Sequence, residues 1–157
     1  MKNKNKKQPQ TFRANVGAAI VNTDGLVLAL ERKEISGSWQ FPQGGLNEGE
    51  EPLEAAKREI LEETGIEVSQ LELLGTVPRW LTYEFPEEVR SQKAWRGQVQ
   101  KWFLFRFTGP DEAITMGDGK EFRAWEWTSM HELFPRVVDF KRSVYQELSE
   151  YFEEYLK

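Results

Sequence analysis

Residues 44–66 constrain this chain more than any other stretch, because a glycine-rich loop there runs into a helix crowded with carboxylates. The loop reads Gly44-Gly45-Leu46-Asn47-Glu48-Gly49-Glu50-Glu51. Pro52 follows and suits the first helical turn, where its missing N–H is no loss. Gly65 suits the left-handed position just past a helix end. Between them Leu53, Ala56 and Ile60 recur at i, i+3 and i+7, an apolar stripe that predicts a helix buried on one side. Glu59, Glu62 and Glu63 fall within roughly 100° of helical arc and are expected opposite that stripe. Like charges at this spacing repel by about 0.2–0.5 kcal/mol per pair. A solvated acidic face is the plain reading of such a run. A hard divalent cation such as Mg²⁺, which prefers clustered carboxylate oxygens, is the reading that gives the repulsion a purpose. Arg58 precedes Glu62 by four residues and is expected to hold that carboxylate.

The rest of the composition narrows the chemistry. There is no cysteine, which excludes disulfides, thiol nucleophiles and cysteine-ligated metals. His131 is the only histidine and lies outside any motif, so acid–base work falls to carboxylates, lysine, tyrosine or activated water. Net charge is −5, and the first ten residues hold four lysines and no acid, leaving the body at −9. An acidic body argues against broad nucleic-acid binding but permits recognition of one nucleotide or one RNA end. Residues 1–10 are expected to be a disordered basic tail and 11–157 a single domain. No run approaches the ~20 apolar residues of a membrane span, and the expected location is the cytoplasm.

Along the chain, strands are predicted over 12–22, 26–31, 68–77 and 98–108, with extended pieces at 39–43 and 79–86. Residues 121–127 alternate, with Phe122, Ala124 and Glu126 on one side and Arg123, Trp125 and Trp127 on the other. An amphipathic helix is predicted over 140–156. Strands, helix, strands, helix is an α/β (α+β) order, satisfied by a mixed sheet between helices.

Gly44, Glu50 and Arg58-Glu59-Ile60-x-Glu62-Glu63-x-Gly65-Ile66 resemble the Nudix box at every defined position. The resemblance implies an α/β/α sandwich. It implies two or more Mg²⁺ ions, with Mn²⁺ as a substitute, held by Glu59, Glu62, Glu63 and the Gly44 carbonyl. Arg58 joins the catalytic set, Glu62 or Glu63 assists water activation, and Glu121 is a further metal-binding or base carboxylate. Residues 37–45, 80–83, 97–103 and 138–142 resemble, within that family, bacterial RNA pyrophosphohydrolases and plant-type diadenosine tetraphosphate hydrolases. Gln43 and Gly45 then let backbone approach an anionic group. Tyr83 and Phe140 are expected to sandwich a purine, each contact contributing about 1–3 kcal/mol. Lys101 and Lys141 would meet phosphate oxygens, and Ser38 would donate a hydrogen bond. Trp39 and Trp102 read as core. The expected activity is asymmetric hydrolysis of diadenosine tetraphosphate to ATP and AMP. The alternative is removal of pyrophosphate from triphosphorylated RNA ends. A non-catalytic nucleotide sensor is disfavoured because all the box glutamates are present, and no obligate protein partner is evident.

Overall fold

The computed structural model describes residues 8–157. It runs through β1 (Phe12–Val21), β2 (Val27–Arg32), β3 (Trp39–Gln40), β4 (Gln43–Gly45), helix α1 (Pro52–Thr64), β5 (Leu71–Thr76), β6 (Leu81–Glu84), α2 (Glu87–Arg90), β7 (Gly97–Phe107), β8 (Phe122–Thr128), α3 (Met130–Leu133) and α4 (Arg142–Tyr151). The tail expected at 1–10 lies outside the described residues up to Lys7, and Gln8–Gln10 carry no regular structure. No described helix is long and apolar enough to cross a membrane.

The spine is the parallel pair β1–β7, in register from Phe12↔Gly97 to Val21↔Arg106. All other pairings are antiparallel. The free edge of β1 is shared between β4 at its start and β2 at its end, and that of β7 between β6 and β5. Splitting both edges opens the sheet near the start of the spine, where β4 and β6 approach from either side. The period of two along β1 and β7 fills both faces. Val16, Ala18, Ile20, Phe103, Phe105 and Phe107 pack under α1 with Ala55, Ala56 and Ile60. Ala19, Val21, Trp102 and Leu104 pack under α4 with Val144, Tyr145 and Leu148. The α/β/α sandwich implied by the sequence is therefore the observed architecture.

Three expectations are corrected. Val68–Gln70 form a turn of 3₁₀ helix ahead of β5 instead of its first residues. The C-terminal helix begins at Arg142, with Phe140 in a preceding 3₁₀ turn, and ends at Tyr151. Strand β8 does not alternate cleanly: Glu31 pairs with Ala124 while Arg32 pairs with Phe122, so Arg123 is an extra residue. This bulge puts Phe122 into the same core as Trp125 and Trp127, because one extra residue inverts the side-chain period.

Candidate active site

Helix α1 is entered at Pro52 and closed by Gly65, whose φ of +78° and N–H to the Leu61 carbonyl at 2.9 Å make a left-handed cap. Its buried face is wider than the apolar stripe. Glu59 and Glu63 are 8% and 4% exposed and lie among the buried residues, beside Ala56 and Ile60, instead of opposite them. At 100° per residue, Glu63 lies about 20° and Glu59 about 60° from Ala56, both to the same side of it. Only Glu62 faces outward.

Burying two carboxylates on one face demands compensation, and the two are treated differently. Glu59 Oε1 accepts from Arg58 Nη1 at 2.8 Å. Its pKa is nevertheless raised, by burial first, with Arg58 acting in opposition. Both oxygens of Glu63 are buried and accept no hydrogen bond of normal geometry, the nearby Gln43 N–H favouring the charged form only as a minor effect beside burial. Burial, then the charges of Glu121 and Glu59, push its pKa well above the ordinary carboxylate value. An unpartnered buried carboxylate costs several kcal/mol unless it is neutralised by a proton or a cation. The donor set therefore fits a hard divalent ion.

Strand β4 supplies the floor. A Cβ on Gly44 would lie 2.1 Å from Glu59 Cδ, so any side chain there would displace that carboxylate from its place above β4. Gly45 is similarly pressed by the Arg13 guanidinium. Among the described residues no three acidic or histidine side chains already converge as a finished ligand cage.

Arg58 organises the loop more than the helix. It donates Nε and Nη2 to the two oxygens of Glu50 at 2.9 and 3.0 Å, and Nη2 also to the Gly45 carbonyl at 2.9 Å. Its contacts with Glu62 are longer, 3.4 Å, and the Glu62 side chain is about half exposed. Holding Glu62 is thus the minor role. Glu50 is a site residue outside the expected set, and its fixed place eight residues before Arg58 is the sequence signal that points to it. It also accepts from Asn47 N at 3.0 Å. The Arg58 guanidinium holds the Glu50 pKa at about 2, below its ordinary 4.5. A depressed pKa stabilises the fold above 4.5, and that contribution disappears as pH falls through about 2. Arg58→Lys keeps the charge but not the fork. It is expected to lower kcat about tenfold and to raise the pH of acid unfolding, measured by steady-state rates and circular dichroism.

Of the residues expected to hold substrate, Tyr83, Phe140 and Lys141 are gathered on the α4 side, but not as an open clamp. Tyr83 and Phe140 touch, with ring centroids 5.7 Å apart and planes tilted by 43°. Phe85 packs against both, at 5.7 and 5.6 Å. Two rings that sandwich a base lie roughly 7 Å apart and parallel, about twice the stacking distance of carbon atoms. The expected double-sided clamp is therefore absent from this arrangement, because the two rings satisfy each other. Tyr83 is buried, and burial raises its pKa to about 12. Lys141 is also buried, with Nζ 3.1 Å from Gln40 Oε1 and 5.7 Å from the Tyr83 ring centroid. Burial, then Arg32 and Lys93, lower its pKa to about 7. Lys101 donates to the Val77 carbonyl at 2.8 Å instead of being free. Ser38 is buried at the end of the β2–β3 loop, and its carbonyl accepts from Arg32 N. Gln43 is tied into the sheet: Gln100 Nε2 donates to Gln43 Oε1 at 3.4 Å and to Asn15 Oδ1 at 2.9 Å. This amide chain leaves no local sequence signal, since its members are 57 and 85 residues apart. Trp102 is fully buried, Trp39 packs on the same core, and His131 is exposed on α3.

A three-layer sandwich with buried acids on one helix and a glycine strand beneath them, taken with the matches that follow, makes the chain a hydrolase of phosphorus-containing anhydrides. The family model described as the NUDIX domain matches residues 11–148, and the chain belongs to that family. It is 42% identical over 159 residues to Nudix hydrolase 26, chloroplastic, of Arabidopsis thaliana, covering 95% of this chain and 73% of that one. It is also 42% identical over 151 residues to the RNA pyrophosphohydrolase of Cereibacter sphaeroides, covering 92% and 93%. Among solved structures, the C. elegans Ap4A hydrolase binary complex superposes with a TM-score of 0.68 at 22% identity, covering 90% of this chain and 98% of that one, a likeness of fold.

Proposed function

We propose that this protein is a divalent-ion-dependent pyrophosphohydrolase that removes pyrophosphate from triphosphorylated RNA 5′ ends. The observation that carries the chemistry is the buried, unpartnered carboxylate of Glu63 beside Glu59. Glu59, Glu63, the Gly44 carbonyl and the outward Glu62 would hold the ions. When bound, such ions neutralise polyphosphate charge and activate water. The chain's own residues do the rest. Arg58 and Glu50 fix the loop so that Gly44 stays under Glu59. Glu62 or Glu121 takes the proton as water attacks phosphorus and a phosphate-bearing group leaves. Lys141 offers buried positive charge beside Tyr83 and Gln40.

The RNA end is favoured by the close relatives that carry the name RNA pyrophosphohydrolase, matched over nearly their whole length. That reverses the order expected from sequence, which placed diadenosine tetraphosphate first. The dinucleotide remains the second reading, favoured by a body of charge −9 that is poorly suited to a long RNA. Parallel assays with a short triphosphorylated RNA and diadenosine tetraphosphate are expected to give the higher kcat/KM for RNA. A dinucleotide value more than tenfold higher would reverse the order again.

The lysine adds a pH dependence. Below about 7 Lys141 is charged in the fold, and above it neutral. KM for either substrate is therefore expected to rise as pH passes about 7. Between about 7 and 10.5 the unfolded chain binds the extra proton, so stability rises with pH over that window. Lys141→Met should abolish both slopes, read by KM and by thermal midpoint across pH 6–10.

A further inference from the structure

Glu121 needs a fixed position to act, yet its side chain is exposed and makes no hydrogen bond among the described residues. Its placement therefore depends on its backbone. That backbone is tethered on both sides by one loop, the β2–β3 connection and the strand end before it. On the N-terminal side, Lys33 Nζ donates to the Gly119 carbonyl at 2.8 Å, and Lys33 N donates to the carbonyl of Glu121 itself at 2.8 Å. On the C-terminal side, Arg123 donates Nε and Nη2 to Glu31 at 3.0 and 3.1 Å, and Nη2 also to Ser36 Oγ at 2.8 Å. The β-bulge makes Arg123 the extra residue of β8, the means by which such bulges re-aim a side chain.

The same segment is anchored from below on α1. Thr115 N and Met116 N donate to the Thr64 carbonyl at 2.9 and 3.2 Å, and Asp118 N donates to the Glu62 carbonyl at 2.8 Å. Gly117 lies so close to that carbonyl that a Cβ would sit 1.9 Å from its oxygen. The loop carrying Glu121 thus grips the main chain on either side of Glu63, while Lys33 and Arg123 pull it toward the β2–β3 loop.

We infer that Lys33 and Arg123 are positioning residues that set Glu121 against the carboxylates of α1. This rests on the proposed catalytic role of Glu121. The Lys33 side chain is exposed, so its bond adds little to stability, and position separates cleanly from folding.

The test is a mutant cycle at saturating Mg²⁺, using whichever of the two substrates is cleaved faster. Lys33→Met is expected to lower kcat by about fivefold to twentyfold, with KM within about twofold. Its thermal midpoint should stay within about 2 °C of the parent, as for other surface substitutions. Lys33→Arg should restore most of the loss. Arg123→Lys, which keeps the charge and loses the fork, should show a similar fall in kcat. In a Glu121→Gln background, Lys33→Met should add nothing. An undiminished loss in that background, or no loss in the parent while Glu121→Gln alone is impaired, overturns the inference and leaves the proposed function standing. Full activity in Glu121→Gln removes the catalytic role of Glu121 and the inference together.

Discussion

Glu63→Gln is expected to lower kcat by roughly 10²–10⁴-fold while making the ion-free protein more resistant to heat. The two effects have one cause. In the fold the Glu63 carboxylate is nine-tenths removed from water and has no donor, so it is costly until a cation or a proton neutralises it. Its folded pKa is raised, first by burial and then by Glu121 and Glu59, while the unfolded chain titrates near 4.5. Between those values the folded state holds the extra proton, so stability falls as pH rises. Glutamine removes that decline, and the gain in thermal midpoint should grow toward alkaline pH. Added Mg²⁺ should reverse the ranking. A ligand at 100 times its Kd stabilises by about 2.7 kcal/mol, and the variant forfeits much of this. Thermal scans at pH 6 and 9, with chelator and with Mg²⁺, read all four quantities. Equal Mg²⁺-induced shifts in both proteins would remove Glu63 from the metal site.

The largest loss of stability is expected at Trp102. Its indole is fully buried, lies edge-on to Phe41 at 6.1 Å and Tyr145 at 6.0 Å, and donates Nε1–H to Gln100 Oε1 at 3.1 Å. The ring covers the space where Gly17 has no side chain; a Cβ there would sit 2.5 Å from ring carbons. Trp102→Ala should cost about 3–5 kcal/mol, and a fall of roughly 10–15 °C in Tm follows for a chain of this size. The reciprocal Gly17→Ala overpacks the same contact and should cost about 1–3 kcal/mol or more. Denaturant unfolding measures both; a Trp102→Ala loss below about 1 kcal/mol would contradict the packing described. Because Gln100 also bonds Asn15 and Gln43, the Trp102 variant should lose activity beyond its loss of fold, by loosening β4 beneath Glu59.

How much of this was legible in advance depended on the range of the interaction. Helix α1 and its two ends were readable because Pro52, Gly65 and the i, i+3, i+7 stripe are local. The face of Glu59 and Glu63 was misjudged only by treating burial as a property of apolar residues; helical geometry alone already set them beside Ala56 and Ile60. The side assignment of β8 failed because a bulge depends on the partner strand, and nothing between Glu121 and Trp127 announces that Arg123 goes unpaired. Tyr83 and Phe140 are expected as a pair and their rings do meet, but whether they face a ligand or each other is decided by packing among Tyr83, Phe85 and Phe140.

The sequence by itself determined the reaction class, through its resemblance to the Nudix box. A box of nine fixed positions carries its own spacing, and that spacing on a helix puts carboxylates and glycine backbone together whatever surrounds them. Only the tertiary structure decided which carboxylate lacks a partner, which arginine holds the loop, and what fixes Glu121. The Arg58–Glu50 pairing spans only eight residues, but the contacts that fix Glu121 join residues 86 and 92 positions apart, where burial sets the cost of each charge and hydrogen bonds of about 3 Å set its place.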